Sequence, residues 1–316
     1  MSVFRLTVRS VVREAEGVLG LLLADPSGAD LAPWEPGAHL EVVLPSGTVR
    51  HYSLCGDPGD RGTYRLGVLR EPAGRGGSEE VHASVGPGTV LGVRGPFNRF
   101  PLVPAERYLF VAGGIGITPL LPMLRSLPPD SWSLLYGGRS LASMAYREEL
   151  AGLPGVTLVP QDTAGLLDLD AALGGLPPST AVYCCGPEGL LRAVEERWPG
   201  PLHTERFGAP PAAPSAASPA TVPAPDSGGG FEVELRRSGR TVRVAPGRSL
   251  LDAVREVVPG VAYSCEEGWC GTCETKVLAG TPEHHDSVLG EEERAAGASM
   301  MICVGRSRGP RLTLDL

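Results

Sequence analysis

Arg107-Tyr-Leu-Phe-Val-Ala112-Gly-Gly-Ile-Gly-Ile-Thr-Pro119 passes from an apolar run into a glycine turn and then into a segment that can be helical to Leu124. Tyr108–Ala112 reads as a strand buried on both faces, and a proline at the head of the next segment suits the first turn of a helix. A strand, a glycine turn and a helix start make an anion site, because unpaired N–H groups and the positive dipole end converge there. The spacing is not G-x-G-x-x-G, so the turn alone names no ligand. Further buried-strand candidates lie at Trp132–Tyr136, Val156–Val159 and Ala181–Cys184, with helical stretches such as Ser143–Leu150 and Leu190–Trp198 between them. That alternation predicts a parallel α/β sheet. Cys184-Cys185-Gly186-Pro187 ends the last of these strands and belongs at the same sheet edge as the glycine turn, where ligands sit in such folds.

Upstream the texture changes. Short strand-favouring runs recur at Phe4–Val12, Val18–Ala24, His39–Leu44, Val49–Leu54, Tyr64–Arg70 and Val90–Arg94, separated by turn clusters such as Pro45-Ser-Gly47 and Asp57-Pro-Gly-Asp60. Their spacing predicts an antiparallel β-barrel with one helix inserted over Ser78–Ser84. Ahead of that helix, Gly74-Arg75-Gly76-Gly77-Ser78 offers clustered N–H groups and a hydroxyl, a cradle for a terminal phosphate. Glu79 and Glu80 suit the helix dipole but oppose a phosphate, so a plain helix start stays open.

Downstream, Ala209–Gly230 holds six prolines and, apart from Val222, no large apolar residue. Such a stretch cannot bury a core and is expected to be an extended tether with a glycine hinge. Beyond it come a hairpin candidate, Phe231–Leu235 with Thr241–Val244 turning at Gly239, and a helix over Leu250–Val257. Four of the seven cysteines then cluster as Cys265-x4-Cys270-x2-Cys273, with Cys303 after a further 29 residues. That is the plant-type [2Fe–2S] spacing. A cluster needs two thiolates on each iron and a tight loop whose N–H groups turn toward sulfur, and Gly268 and Gly271 permit that approach. Zinc is the competitor, but structural zinc sites repeat C-x2-4-C pairs, whereas here three cysteines share one loop.

The last region, Phe231–Leu316, resembles a plant-type ferredoxin domain, which implies an α+β (β-grasp) fold and Cys265, Cys270, Cys273 and Cys303 as metal ligands. Gly113–Pro119 together with Cys184–Pro187 resembles the nicotinamide domain of the ferredoxin-NADP reductase superfamily. By that resemblance Gly113, Gly114, Gly116, Thr118 and Pro119 face the pyrophosphate and ribose, and Cys185, Gly186 and Pro187 lie by the nicotinamide, with Cys184 in the core. Arg50-His51-Tyr52-Ser53-Leu54 resembles the superfamily's R-x-Y-S flavin motif, in which Arg suits phosphate, Tyr stacks on the ring and Ser bonds near its reactive nitrogen. In isolation the same residues could be an ordinary strand face. With Gly74–Ser78 and His203-Thr-Glu-Arg-Phe207, these motifs run in the order found in the phthalate dioxygenase reductase and vanillate demethylase reductase family.

Membership in that family implies FMN, NADPH or NADH, and a [2Fe–2S] cluster on one polypeptide. It places Ser53, Thr118 and Cys185 at the reacting centre and Phe207 on the flavin face. A flavin is also what the chemistry asks for, since a hydride donor delivers two electrons and a [2Fe–2S] cluster takes one. The terminal-phosphate cradle, with Arg50, His51, Tyr52 and Ser53, points to FMN rather than FAD, whose adenine would want an aromatic platform that is not evident. Arg139 and Ser140, with no acid before Glu148, lean toward NADPH, although Arg139 alone could equally be a solvated turn residue. The long Pro/Ala tether departs from the family pattern.

The chain of 316 residues is 42% apolar and 20% charged with a net charge of −8, which argues against a nucleic-acid surface. No apolar run approaches the roughly 18 residues of a membrane span, and the first residues lack a secretory pattern, so a cytoplasmic location is expected. The expected division is 1–104 (FMN barrel), 105–208 (nucleotide domain), 209–230 (tether) and 231–316 (ferredoxin). His284, His285 and Asp286 are adjacent in a loop and read as solvated. The expected partner is a separate terminal oxygenase, of Rieske non-haem iron or cytochrome P450 type. The alternatives are a non-catalytic redox sensor and the electron-transfer subunit of another dehydrogenase, such as dihydroorotate dehydrogenase.

Overall fold

Alternating apolar residues from Leu6 onward build the first sheet. Strands β1 (Phe4–Ala15), β2 (Val18–Ala24), β3 (Ala38–Val43), β4 (Val49–Ser53), β5 (Tyr64–Leu69) and β6 (Val90–Asn98) pair antiparallel in the order β4-β3-β6-β1-β2-β5. Leu6, Val8, Leu21, Leu23, Leu40, Val42, Leu66, Val68, Leu91 and Val93 point into one core. The sheet curls until its edges meet: Leu54 bridges Leu66, and the Cys55 N–H donates to the Arg65 carbonyl at 2.9 Å. Helix α1 (Gly77–Ser84) sits between β5 and β6. The computed structural model describes residues 3–72, 74, 76–207, 230–263, 266, 268, 271–286 and 288–316.

The second sheet is wholly parallel. It holds β7 (Tyr108–Gly113), β8 (Trp132–Gly138), β9 (Val156–Pro160), β10 (Ala181–Cys185) and β11 (Leu202–Glu205) in the order β11-β10-β7-β8-β9. Helices α2 (Ile117–Ser126), α3 (Arg147–Leu150), α4 (Gln161–Ala164), α5 (Leu169–Leu173) and α6 (Glu188–Glu195) connect its strands. The order reverses between β7 and β10, which makes their carboxyl ends the crevice of the sheet. Helix α3 is shorter than the expected Ser143–Leu150, because Tyr146 adopts a left-handed backbone (φ 61°) and a 3-10 turn takes Leu141–Ser143. Strand β11 is not foreseen by the sequence, since its residues are only half-buried and carry no apolar run.

These two sheets form one unit, Met1–Phe207, and the remainder of the chain a second. In the second unit β12 (Phe231–Leu235), β13 (Arg240–Val244), α7 (Leu250–Arg255), β14 (Glu274–Ala279), β15 (Pro282–Glu283), α8 (Glu291–Ala296), β16 (Ser299–Met301), β17 (Arg306–Ser307) and β18 (Arg311–Leu314) follow in order. The main sheet runs β13-β12-β18-β14-β16, with β12 parallel to β18 and α7 burying Leu250, Leu251, Ala253 and Val254. That mixed sheet under a helix is the α+β fold the sequence leads one to expect. Of the tether over 209–230, only Gly230 falls within the described residues.

Two tyrosines, Tyr108 and Tyr183, hold the connection between the two sheets of the first unit. The Tyr183 hydroxyl accepts from Val103 N–H at 2.7 Å and donates to the Pro101 carbonyl at 3.0 Å. Tyr183→Phe leaves both backbone groups short of a partner and should cost about 1–2 kcal/mol. Thermal denaturation should show a melting point lower by a few degrees with the secondary structure unchanged.

Candidate functional site

The glycine turn after β7 and the Cys-Gly-Pro segment after β10 meet where the strand order reverses. A Cβ on Gly116 would stand 2.1 Å from the Cys185 carbonyl oxygen, and one on Gly113 2.7 Å from Pro187 Cδ. Only glycine allows backbones this close. Gly186 returns the contact, since a Cβ on it would stand 2.9 Å from the Gly113 Cα, and Gly114 turns the chain with φ 55°. Thr118 and Pro119 are buried in the first turn of α2, and the Thr118 hydroxyl donates to the Ile115 carbonyl at 2.9 Å. Cys185 is fully enclosed, and burial pushes its thiol well above the usual range, so it is present as S–H. Burial likewise raises its core neighbour Cys184 to about 12.

The sequence reading singles out no role for Glu205, yet the structure brings it to this edge. It pairs with Cys185 across β10 and β11, and the Ser53 hydroxyl from the barrel donates to its Oε2 at 3.3 Å. Loss of hydration lifts its carboxyl to about 8, against a smaller downward pull from Ser53. The available signal was an acid at the end of a strand, two residues before Phe207.

At the barrel, Arg50 lies across the head of α1: a Cβ on Gly77 would stand 2.4 Å from Arg50 Nε. Gly76 precedes the helix in left-handed backbone (φ 79°). The two acids thought to oppose a phosphate are engaged elsewhere. Glu79 takes Arg70 at 2.8 Å, and Glu80 accepts from the Ser46 N–H at 2.8 Å and hydroxyl at 2.5 Å. Gly74 N–H donates to Glu71 O, and Ser78 Oγ accepts from the Glu71 N–H at 3.0 Å. Arg75 lies outside the described residues. The Tyr52 hydroxyl is buried without a hydrogen-bond partner, and burial raises it to about 12. An orphaned hydroxyl beside a cradle open to Arg50 fits a phosphorylated, ring-bearing cofactor. His51 turns to the other side of the strand, 3.8 Å from Glu41 and with its ring 5.2 Å from that of His39.

Arg139 is exposed after β8, while Ser140 shares a reciprocal cap with Ser143. Phe207 is 41% exposed at the end of the unit, its neighbour Arg206 gripped by Glu188 at 3.2 Å and Glu195 at 2.6 Å.

In the second unit Cys273 and Cys303 are both buried, and the Ile302 N–H beside Cys303 reaches the Cys273 carbonyl at 3.4 Å. Glu266 (φ 58°), Gly268 (φ 75°) and Gly271 (φ 70°) take left-handed backbone. Cys265 and Cys270 lie outside the described residues. Two buried thiols brought together beside such a loop fit an iron–sulfur cluster. His284 and Asp286 are not solvated as expected: their side chains are 7% and 0% exposed. Asp286 Oδ2 accepts from the Val288 and Leu289 N–H groups at 3.1 and 2.9 Å, which draws the segment inward, and its Cα would face a Cβ on Gly268 at 3.0 Å.

Comparison with known proteins agrees with this layout. Residues 233–307 match the 2Fe-2S iron-sulfur cluster binding domain family. The phenoxybenzoate dioxygenase subunit beta of Ectopseudomonas oleovorans is 41% identical over 100% of this chain and 98% of its own. The solved phthalate dioxygenase reductase, described as a modular structure for electron transfer from pyridine nucleotides to [2Fe-2S], superposes with a TM-score of 0.74 at 35% identity, covering 100% of this chain and 98% of that one. The chain belongs to the phthalate dioxygenase reductase family. It is therefore an oxidoreductase with a C-terminal [2Fe–2S] domain. An intact type IV self-sufficient cytochrome P450 monooxygenase also matches, with a TM-score of 0.83 at 39% identity; this chain is covered to 99% and spans 41% of that longer one. Among the described residues, no helix is long and apolar enough to cross a membrane.

Gly116→Ala should separate the two segments that meet at this sheet edge. Flavin content should stay near parental while flavin reduction by NAD(P)H falls steeply, as read by anaerobic stopped-flow absorbance. Glu205 supplies a pH test. Its folded value of about 8 lies above the ordinary 4.5, so the unfolded chain releases this proton first and stability falls as pH rises through that window. Glu205→Gln should lose less thermal stability than the parent between about pH 5 and 8.

Proposed function

We propose that this reductase takes hydride from NAD(P)H onto FMN in the barrel and sends single electrons through its [2Fe–2S] cluster to a separate terminal oxygenase. One observation carries the reading. The glycine turn and Cys185 converge on one sheet edge, and there Ser53 of the barrel motif reaches Glu205. FMN, when bound, supplies the chemistry that accepts an electron pair and releases electrons one at a time.

The protein's part is to bind, orient and hold protons. Arg50 with the head of α1 would hold the phosphate, and the Tyr52 hydroxyl would find its missing partner on the flavin. Gly114, with open space beside it, leaves room for the pyrophosphate, Gly113 and Gly116 hold the turn against the Cys185–Pro187 segment, and the Ile117–Thr118–Pro119 turn offers a helix start. Cys185, a neutral thiol enclosed beneath this edge, adds no charge to the nicotinamide side. At neutral pH Glu205 keeps its proton, so the Ser53 and Glu205 pair places a hydrogen-bonding group there without adding a buried charge. Phe207 is free to cover the flavin face, and Cys273 and Cys303, with Cys265 and Cys270, would ligate the cluster.

The oxygenase partner is supported by a relative named as a dioxygenase subunit and by a structural neighbour that is a cytochrome P450 monooxygenase. A Rieske non-haem iron protein or a P450 would serve. The domain division 1–104, 105–208, 209–230 and 231–316 belongs to this reading, as does a cytoplasmic location. Exposed Arg139 favours the 2′-phosphate of NADPH. The test is turnover with NADPH and NADH side by side, using ferricyanide and cytochrome c as acceptors. Activity with both acceptors is expected, and negligible turnover with either nucleotide would point to a sensor instead. Cys273→Ser should keep ferricyanide reduction and lose most cytochrome c reduction, because the first acceptor can draw directly on the flavin.

A further inference from the structure

Hydride transfer needs two reacting atoms held about 3–3.5 Å apart, and a misplacement of about 1 Å costs up to 100-fold. The barrel and the parallel sheet must therefore meet in one fixed relation. One position in the barrel wall that receives the sheet's side of that meeting leaves no space for a side chain of its own. At Gly67, in β5, a Cβ would stand 2.6 Å from the Tyr146 hydroxyl and 2.8 Å from Thr118 Cγ2. Tyr146 and Thr118 thus share one notch, and Thr118 heads the helix that follows the glycine turn.

Tyr146 is held in that notch from several sides. It is 2% exposed, and its left-handed backbone (φ 61°) is a conformation a tyrosine keeps only when its surroundings impose it. The Cys55 thiol donates to its hydroxyl at 3.5 Å, and the Arg65 guanidinium lies 4.6 Å from its ring centroid. Arg65 is fixed in turn by Glu14 at 2.9 Å within the barrel and by Glu149 at 2.5 Å from α3. Arg125 of α2 completes the frame. It pairs with Glu149 and donates to the Cys55 and Gly56 carbonyls at 2.8 Å each.

We propose that Tyr146 is a positioning residue for hydride transfer, a wedge seated at Gly67 that sets the distance between the flavin-bearing barrel and Thr118 at the head of the nucleotide helix. The proposal rests on the hydride-transfer reading above. The wedge stands beside Thr118 but supplies no phosphate-binding group, so its removal should slow the chemical step more than it weakens either affinity.

The experiment is anaerobic stopped-flow reduction of the full-length holoprotein by NADPH or NADH. It separates the limiting rate of flavin reduction from nucleotide Kd and adds the isotope effect with 4-deuterated nucleotide. Tyr146→Leu should lower the limiting rate by about 10- to 100-fold with Kd within about threefold, the size expected of a lost alignment. The isotope effect should persist or rise. Tyr146→Phe, which keeps the ring under Arg65, should stay within about threefold of the parent. Arg65→Gln, which leaves the tyrosine but loosens its frame, should fall between them and serves if the leucine variant does not fold. An unchanged limiting rate in the leucine or glutamine variant overturns the proposal. So does a loss wholly explained by released FMN or a raised Kd. A parent protein that neither nucleotide reduces would instead refute the functional reading beneath it.

Discussion

Two stretches of backbone pressed together with no side chain between them set the geometry of the first unit. Where Gly116 meets the Cys185 carbonyl and Gly113 meets Pro187, any Cβ would collide. The parallel strand order brings these segments side by side, and the absence of side chains lets them touch. Everything at that edge takes its place from the contact. Helix α2 starts there and buries Thr118, and β11 is drawn alongside β10 so that Glu205 stands level with Cys185.

Charge in the first unit is arranged so that little of it is left facing the site. Glu79 and Glu80, which would repel a phosphate if they pointed at it, spend their carboxylates on Arg70 and Ser46. Arg50 stays over the head of α1, where positive charge and helix N–H groups act together. At the opposing edge the groups are neutral by burial: Cys185 remains a thiol, and Glu205 holds its proton to about pH 8. Positive charge for the phosphates and a neutral surface for the rings is the division that a nucleotide and a flavin would each require. The Arg65, Glu14, Glu149 and Arg125 network lies away from both, at the seam, where ion pairs fix position rather than bind.

Much of this is legible residue by residue. Regularly spaced strand-favouring runs mark β1 to β6, and continuous apolar runs mark β7, β8 and β10, because burial writes itself into composition. Cysteine spacing announces the last domain for a similar reason, since metal ligation fixes chemistry at short range. Strand β11 escapes because its residues are half-buried and mixed in character. Helix α3 is cut short because Tyr146 is drawn into a contact with the barrel far along the chain, at Gly67. His284 and Asp286 look solvated in a polar loop, yet backbone N–H groups of Val288 and Leu289 pull the aspartate inside.

The amino-acid sequence by itself determined the three textures of the chain, the glycine turns and the cysteine set, since each follows from local sterics, short-range hydrogen bonding or ligand chemistry. Only the tertiary structure decided which side of a strand His51 faces, where Glu79 and Glu80 send their charge, that Glu205 joins Ser53, and that Tyr146 reaches Gly67. Those outcomes depend on partners from 9 to 152 residues away. A side chain's neighbours, and so its hydration, charge state and role, exist only once the sheets have closed around it.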